Sequence, residues 1–393
     1  MGDLDQFDAV VVGGGPAGST AAAELARRGL SVLLLDRGGR IKPCGGAIPP
    51  RLLRDFDVPE NILVARATSA RIVSPADRHV HMPIEDGFVG MVDRDGFDEW
   101  LRERAGLAGA VRRTGSFVRL TRDSQGSAIV HYESNGRPAS VRARAVIGAD
   151  GARSAVARQC VPGAERMPFV FAYHEIVRSP ERSPGFDGAR CDVYYRGTLS
   201  PDFYGWVFPH GETTSIGIGS ARKGFGLRAA VGTLRRSAGL EAATTLRREG
   251  APIPLRPLRR WDNGVDVVLA GDAAGVVAPA SGEGIYYAMV CGRLAAEAVH
   301  AFCRTGEARA LRAVRAGFMA EHGQVFRALG MMQRFWYAND WLRERFVALC
   351  GDQDVQRLVW NAYLNKTMGR AKPSVYLRIM LKNIGQLTGL VPV

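Results

Sequence analysis

The sequence predicts an α/β (α+β) chain: a discontinuous Rossmann-like domain, an antiparallel-sheet domain inserted between its pieces, and a C-terminal helical region. Three observations predict it. At the N-terminus an apolar run passes straight into a glycine-rich turn and a helical pattern. Two further apolar runs, one central and one late, end in Asp-Gly and Gly-Asp. The stretches between carry the alternation and turn dipeptides of antiparallel strands.

Phe7 to Val12 is a β-branched apolar run, followed by Gly13-Gly14-Gly15-Pro16-Ala17-Gly18 and a helical pattern over Ser19 to Arg28. In the spacing Gly13-x-Gly15-x-x-Gly18 the first glycine allows the tight turn and the second lets a pyrophosphate approach the backbone. The third lets helix and strand pack closely. Ala17 lies within the turn, and the helix N-terminus faces the phosphates. A second strand over Ser31 to Leu35 ends in Asp36, about 20 residues after the turn, where a carboxylate accepts hydrogen bonds from ribose hydroxyls; Arg37 follows it. The acid argues against a 2′-phosphate there. Strand, turn, helix and acid in register point to a bound dinucleotide.

FAD and NAD share that fingerprint, and two later segments bear on the choice. One is Ala145-Val146-Ile147-Gly148-Ala149-Asp150-Gly151; the other is Val265 to Ala270 followed by Gly271-Asp272-Ala273-Ala274-Gly275. Each puts a carboxylate at the C-terminal end of a predicted strand, where open α/β sheets bind ligands. Between these pieces, residues 65 to 90, 115 to 145 and 167 to 220 read as short strands with turn signals such as Asn135-Gly136 and His210-Gly211. Residues 94 to 110, beginning Arg94-Asp95-Gly96-Phe97-Asp98, read as a helix, and from about residue 286 the chain turns helical. The predicted division is 1-64, 91-114, 146-166 and 261-303 for the nucleotide domain, 65-90, 115-145 and 167-260 for the antiparallel sheet, and 304-393 for the helical region.

Composition narrows the class. Of 393 residues 46% are hydrophobic and 23% charged, which excludes a disordered chain or a fibre. The six cysteines show no Cys-x-x-Cys pair and no zinc-type histidine spacing, so neither a disulfide framework nor a metal site is expected. The acidic start, MGDLDQFDAVVV, is unlike a signal peptide, and no apolar run of bilayer-spanning length occurs. A cytoplasmic protein is expected. The net charge is +13, from 52 Lys+Arg against 39 Asp+Glu. From Val355 to Val393 there is no acidic residue and there are six basic ones. Over Tyr376, Met380, Ile384, Leu387 and Val391 the spacing is helical, so this tail reads as a basic amphipathic segment suited to peripheral contact with an anionic membrane, or as an ordinary C-terminal helix. No nucleic-acid recognition motif accompanies it.

An N-terminal GxGxxG, a central Asp-Gly and a late Gly-Asp, in that order, resemble the para-hydroxybenzoate hydroxylase superfamily of flavoproteins. The resemblance implies one non-covalent FAD, held by Gly13, Gly15, Ala17, Gly18, Asp36, Arg37, Asp150, Gly151, Gly271 and Asp272, with an antiparallel sheet roofing a substrate cavity over the flavin. Tyr204, Trp206 and Phe208 alternate, which puts them on one face of a strand, as an aromatic wall or as a core stripe. Pro201-x-x-Tyr204-x-Trp206-x-Phe208-Pro209 is similar to the PxxYxWxFP element of the geranylgeranyl reductases, a branch of that superfamily. Lys42-Pro43-Cys44-Gly45-Gly46, the turn Ala278 to Ile285 and Arg94 match the same branch. The segments Lys42 to Arg54 and Ala371 to Val391 look like its chlorophyll and bacteriochlorophyll members.

The implied activity is saturation of carbon-carbon double bonds in a geranylgeranyl chain, ending at phytyl, on an esterified (bacterio)chlorophyll or on geranylgeranyl diphosphate. Implied catalytic candidates are Cys44 and Tyr204, and implied substrate contacts are Tyr204, Trp206 and Phe208. Implied flavin contacts are Cys44, Gly45, Gly46, Arg94, Gly282, Gly284 and Ile285, with Gly282 and Gly284 offering backbone N–H groups to the ring. No second GxGxxG is present, so NADPH would visit transiently or a ferredoxin would deliver electrons. A membrane-associated enzyme of photosynthesis fits these features. Two alternatives stay open at this point: an aromatic monooxygenase or halogenase on the same fold, and a non-catalytic flavin- or pigment-binding accessory protein.

Overall fold

The computed structural model describes residues 4–39, 41–85, 87–181 and 185–366. The described chain divides into two compact units. Unit 1 runs to Lys42 and resumes over Asp95–Phe169 and Pro252–Arg327; unit 2 comprises Pro43–Arg94, Val170–Ala251 and the described residues from Ala328 on.

Unit 1 opens with β1 (Gln6–Val12), α1 (Pro16–Arg27) and β2 (Val32–Asp36). Unit 2 takes β3 (Ala47–Ile48), α2 (Pro50–Asp55), β4 (Ala65–Ala67), β5 (Ser69–Val73), β6 (His79–Pro83) and β7 (Val89–Met91). Next come α3 (Arg94–Leu107), β8 (Val111–Thr114), β9 (Ser116–Arg122), β10 (Ala128–Ser134), β11 (Arg137–Gly148) and α4 (Ala155–Cys160) in unit 1. β12 (Phe169–Arg178), β13 (Arg190–Tyr194), β14 (Gly205–His210), β15 (Thr213–Ser220), α5 (Leu227–Ser237) and most of β16 (Thr245–Pro254) follow in unit 2. β17 (Val267–Leu269) and α6 (Ile285–Thr305) belong to unit 1, α7 (Ala313–Trp336) carries the last division, and α8 (Asp340–Leu349) and α9 (Gln353–Asn365) belong to unit 2.

The sheet of unit 1 has the order β8-β2-β1-β11-β10-β9, with β17 also on β11. β8, β2, β1, β11 and β17 are mutually parallel. Val10, Val11, Leu33 and Leu34 are almost fully buried, as strands covered on both faces require. β11 is long enough to serve two partners along the edge away from β1: Arg137 to Ala143 pairs antiparallel with β10, while Val146 to Gly148 pairs parallel with β17. This corrects the division predicted from sequence. The strands of residues 115–145 do form an antiparallel hairpin, with Asn135 and Gly136 at positive φ in its turn, but the hairpin extends the parallel sheet of unit 1. Alternation reports how a strand pairs locally and is silent on which sheet its neighbour joins. Further placements differ: residues 43–64 and 91–94 fall in unit 2, residues 167–169, 252–260 and 304–327 in unit 1, and the described residues from 328 on join unit 2.

Unit 2 holds a seven-stranded sheet, β16-β12-β15-β14-β13-β5-β6, antiparallel except between β13 and β5. Val73, Val177, Tyr194, Val207, Ile216 and Ile218 make one face of it, and α5 packs there through Ala230, Val231 and Leu234. Because side chains alternate along strands, Trp206, Phe208, His174 and Ser215 point to the opposite face. Buried Arg343 of α8 donates to the carbonyls of Ser200 (2.7 Å) and Tyr337 (3.0 Å). Among the described residues no helix is long and apolar enough to cross a membrane. The basic segment Ala371 to Val391 and the rest of 367–393 lie outside the described residues.

Candidate functional site

Unit 1 brings three distant motifs to one edge. β1, β11 and β17 are neighbours, so the residues after them, Gly13, Ala149 and Ala270, leave the sheet side by side. Backbone hydrogen bonds tie these exits: Gly13 N–H to Leu35 O (2.8 Å), Ala149 N–H to Val12 O (2.8 Å) and Ala270 N–H to Gly148 O (2.9 Å). Gly13 has φ +107°, and a Cβ there would lie 2.3 Å from the Ala149 carbonyl oxygen. At Gly18 a Cβ would lie 1.8 Å from the Gly13 oxygen. At Gly15 it would meet nothing within 4 Å, so the backbone is open on that side to a phosphate group. Ala17 is pressed from behind: a Cβ on Gly271 would lie 2.7 Å from its Cβ, and one on Gly292 of α6 would lie 2.2 Å from its carbonyl oxygen.

Around this turn stand the carboxylates. Asp36 accepts from Gly14 N–H at 3.0 Å, and Arg102 lies 3.6 Å from its other oxygen while donating to Gly14 O at 3.2 Å. Arg37 is exposed in the loop beyond. Asp150 accepts from Ala155 N–H (2.6 Å) and Val156 N–H (3.3 Å), and also from Ser154 Oγ; burial pushes its carboxyl up. Gly151 follows at φ +88°. Asp272 is buried and ion-paired to Lys42, and a Cβ on Gly284 would stand 3.7 Å from its Oδ1. Ile285 is the buried first residue of α6. One expectation fails here. The Gly282 N–H donates to the Ala278 carbonyl within its own turn (3.0 Å), so it is not available to a ring.

Unit 2 assembles the aromatic residues. Tyr204 precedes β14, and its ring lies 6.1 Å from Trp206, which lies 6.4 Å from Phe208. The three form a continuous row on the face away from α5, so they are not part of the aliphatic core. Cys44-Gly45-Gly46 lies on that row: a Cβ on Gly45 would stand 3.1 Å from the Phe208 ring. Gly46 has φ +70°, and a Cβ there would stand 2.4 Å from His210 Nε2 and 2.5 Å from Val92 O. Cys44 Sγ accepts from Gly46 N–H at 3.4 Å. Arg94 is the buried first residue of α3. Beyond Tyr204 the aromatic surface continues through Tyr195 (6.0 Å) to Tyr337 (5.2 Å), whose hydroxyls are 3.2 Å apart. Trp341 is half exposed.

The model for an FAD binding domain matches residues 6–170. A geranylgeranyl diphosphate reductase of Rhodobacter capsulatus is 58% identical, over 98% of this chain and 99% of that protein. The chain belongs to the geranylgeranyl diphosphate reductase family. The chloroplastic geranylgeranyl diphosphate reductase of Oryza sativa is 35% identical, over 96% of this chain and 85% of its own length. The crystal structure of a geranylgeranyl bacteriochlorophyll reductase-like protein from Thermoplasma acidophilum shares the fold, with TM-score 0.82 at 21% identity, over 99% of this chain and 100% of that one. The cofactor of this reductase family member is FAD, and the open backbone at Gly15 fits it.

Sequence reasoning missed a buried relay behind the aromatic row. Trp206 Nε1–H donates to Ser215 Oγ (3.1 Å), Ser215 Oγ lies 3.0 Å from His174 Nδ1, and His174 Nε2 lies 3.1 Å from Glu249 Oε2. With Glu249 ionised, one assignment satisfies every group: His174 donates from Nε2 to the carboxylate, and Ser215 donates to Nδ1 while accepting from the indole. Burial works to raise the Glu249 carboxyl, but the hydrogen bond from His174 and the ion pair with Arg247 (2.6 Å) outweigh it and hold it below its ordinary value. Glu175 is alike: burial raises it, and bonds from Arg235 (2.7 Å) and Tyr173 (3.0 Å) bring it below its ordinary value.

A depressed carboxyl stabilises the folded state above the unfolded pKa and stops doing so as pH falls through the folded one. Acidification from neutrality to below 4.5 should therefore cost unit 2 stability. The pair Glu175→Gln and Glu249→Gln should start less stable at neutral pH and lose less on acidification. Urea midpoints read by tryptophan fluorescence at the two pH values test this; parallel losses in both proteins would contradict it.

Proposed function

We propose that the protein is an FAD-dependent reductase that saturates carbon-carbon double bonds of a geranylgeranyl chain, converting it stepwise toward phytyl. The observation that carries this reading is the row Tyr204, Trp206, Phe208 on the face of the unit 2 sheet away from α5, with Cys44-Gly45-Gly46 laid on it. A row of aromatic faces with few polar groups holds a polyisoprenoid by apolar contact and leaves it free to slide, as successive reductions require. The identity of 58% to a geranylgeranyl diphosphate reductase supports the same substrate class.

Bound FAD supplies the hydride. An isolated alkene has no carbonyl to take up negative charge, so hydride arrival at one carbon must be matched by a proton at the other. To the extent that protonation runs ahead of hydride transfer the alkene acquires carbocation character, which the negative faces of Trp206 and Tyr204 would stabilise. The Cys44 thiol and the Tyr204 hydroxyl are the proton donors or relays of this reading, and each addition of hydride and proton closes one double bond. We take NADPH or a ferredoxin as the source of electrons, and a geranylgeranylated (bacterio)chlorophyll or geranylgeranyl diphosphate as substrate. The basic segment after Gly369 supplies peripheral membrane contact in this reading.

The test is anaerobic incubation of the reduced holoprotein with each substrate and mass spectrometry of the product. Gains of two, four and six hydrogens are expected; unchanged mass with both substrates would sink the reading. Cys44→Ala and Tyr204→Phe should lower turnover with flavin content intact. Loss of FAD from either variant would show that its role is structural.

A further inference from the structure

Unit 1 has a second feature, whose lining includes none of the residues of the Gly13 to Gly18 turn. A cavity of about 550 Å³ is lined by two loop segments, one with Pro162, Gly163, Arg166, Met167 and Pro168, the other running from Arg256 to Arg260. Four of its ten lining residues are arginines and none is acidic. Arg166 pairs with its sequence neighbour Glu165 at 3.0 Å. Among the described residues Arg256, Arg259 and Arg260 have no carboxylate partner. Elsewhere in unit 1 Arg122 pairs with Asp266 (2.6 Å) and Arg142 with Asp123 (3.0 Å).

The loop that carries the three arginines is anchored. Leu255 N–H donates to Pro168 O (3.0 Å), which joins the two walls, and Leu258 N–H donates to Ala274 O (3.0 Å). The Leu258 carbonyl accepts from both Trp261 Nε1 (3.0 Å) and Arg315 Nε (3.2 Å). A Cβ on Gly275 would stand 2.4 Å from Arg256 O, so the loop lies directly on the turn that bears Asp272. Guanidinium groups gathered on an anchored loop repel one another, and an anion among them relieves that cost. Their planar forks match phosphate oxygens two at a time.

We propose that this cavity binds a phosphate group of a small-molecule ligand other than FAD, through Arg256, Arg259 and Arg260 with Arg166 opposite. The volume suits a nucleotide-sized group. Under the function proposed above, on which the choice of ligand rests, two molecules carry such phosphate: a nicotinamide dinucleotide phosphate that reduces the flavin, and a prenyl diphosphate substrate.

The experiment compares the FAD-loaded protein with the variant R256Q/R259Q/R260Q, all three being exposed positions. Inorganic pyrophosphate titrated calorimetrically at low salt should bind the parent protein and bind the variant at least about tenfold more weakly. Equal binding, or none to either, overturns the site. Anaerobic flavin reduction by NADPH that slows about tenfold in the variant, with dithionite reduction unchanged, assigns the phosphate to the reductant. A raised KM for geranylgeranyl diphosphate in dithionite-driven turnover, with the pigment ester unaffected, assigns it to the substrate. If pyrophosphate binding is lost in the variant while the parent reduces neither prenyl substrate, the site stands and the proposed function falls.

Discussion

Asp272→Ala is expected to give a folded protein that loses its flavin on gel filtration. The carboxylate is buried at the edge where the Gly13 turn, Asp150 and the start of α6 meet, and under the function proposed above it is the acceptor that would hold ribityl hydroxyls. Hydrogen bonds to a charged group contribute about 1.5–3 kcal/mol each. Losing two costs about 3 kcal/mol at the low end, roughly a 150-fold loss of affinity. The fold tolerates the change because the ion-pair partner, Lys42, has a side chain about one-third exposed, so its ammonium can turn to water. Asp272→Asn, which keeps one acceptor, should retain part of the affinity. Flavin retained at the parental level in Asp272→Ala, with unchanged thermal stability, would remove Asp272 from the cofactor site.

The features of unit 1 that could be read from sequence are those the backbone imposes locally. Gly13 and Gly18 are glycines because any side chain would strike a carbonyl oxygen within 2.3 Å, and such demands recur at fixed spacing. Asp36, Asp150 and Asp272 were legible for a related reason: each closes a parallel strand, and apolar strands with a terminal acid are visible in the chain. Partners brought by tertiary registry left no such trace. Lys42 and Asp272 are 230 positions apart, and Arg102 reaches the Gly14 carbonyl from a helix whose charged residues otherwise look solvated. The hairpin β10-β11 was readable from Asn135-Gly136, but that it belongs to the parallel sheet through the pairing of β11 with β1 and β17 was not. Gly282 was readable as a turn glycine, whereas the fate of its N–H depends on Ala278 being close enough to take it. In unit 2 the aromatic spacing was plain, but the relay behind it joins β12, β14, β15 and β16, and no stretch of sequence contains more than one of its members except β14 and β15 together through a turn.

Gly217→Ala is expected to lower prenyl turnover about 100-fold while leaving FAD affinity unchanged. On β15 Gly217 pairs with Trp206 on one side and with His174 on the other. A Cβ there would lie 2.1 Å from Trp206 Cζ2, 2.5 Å from its Cε2 and 2.6 Å from His174 Cβ. The indole lies across this glycine, and its N–H is held by Ser215, so it cannot yield by rotating without breaking the relay to Glu249. Overpacking of this kind costs about 1–3 kcal/mol of stability. A reacting alkene displaced by an ångström along the aromatic row costs about 100-fold in rate. The two effects have separable causes. Trp206→Leu in the Gly217→Ala background removes the two indole contacts and leaves the one with His174 Cβ, so stability should recover in part. Turnover should stay low, because the ring face is gone. A double variant that regains both would show that Trp206 serves packing alone. A Gly217→Ala variant with parental turnover would show that the prenyl chain does not use this row.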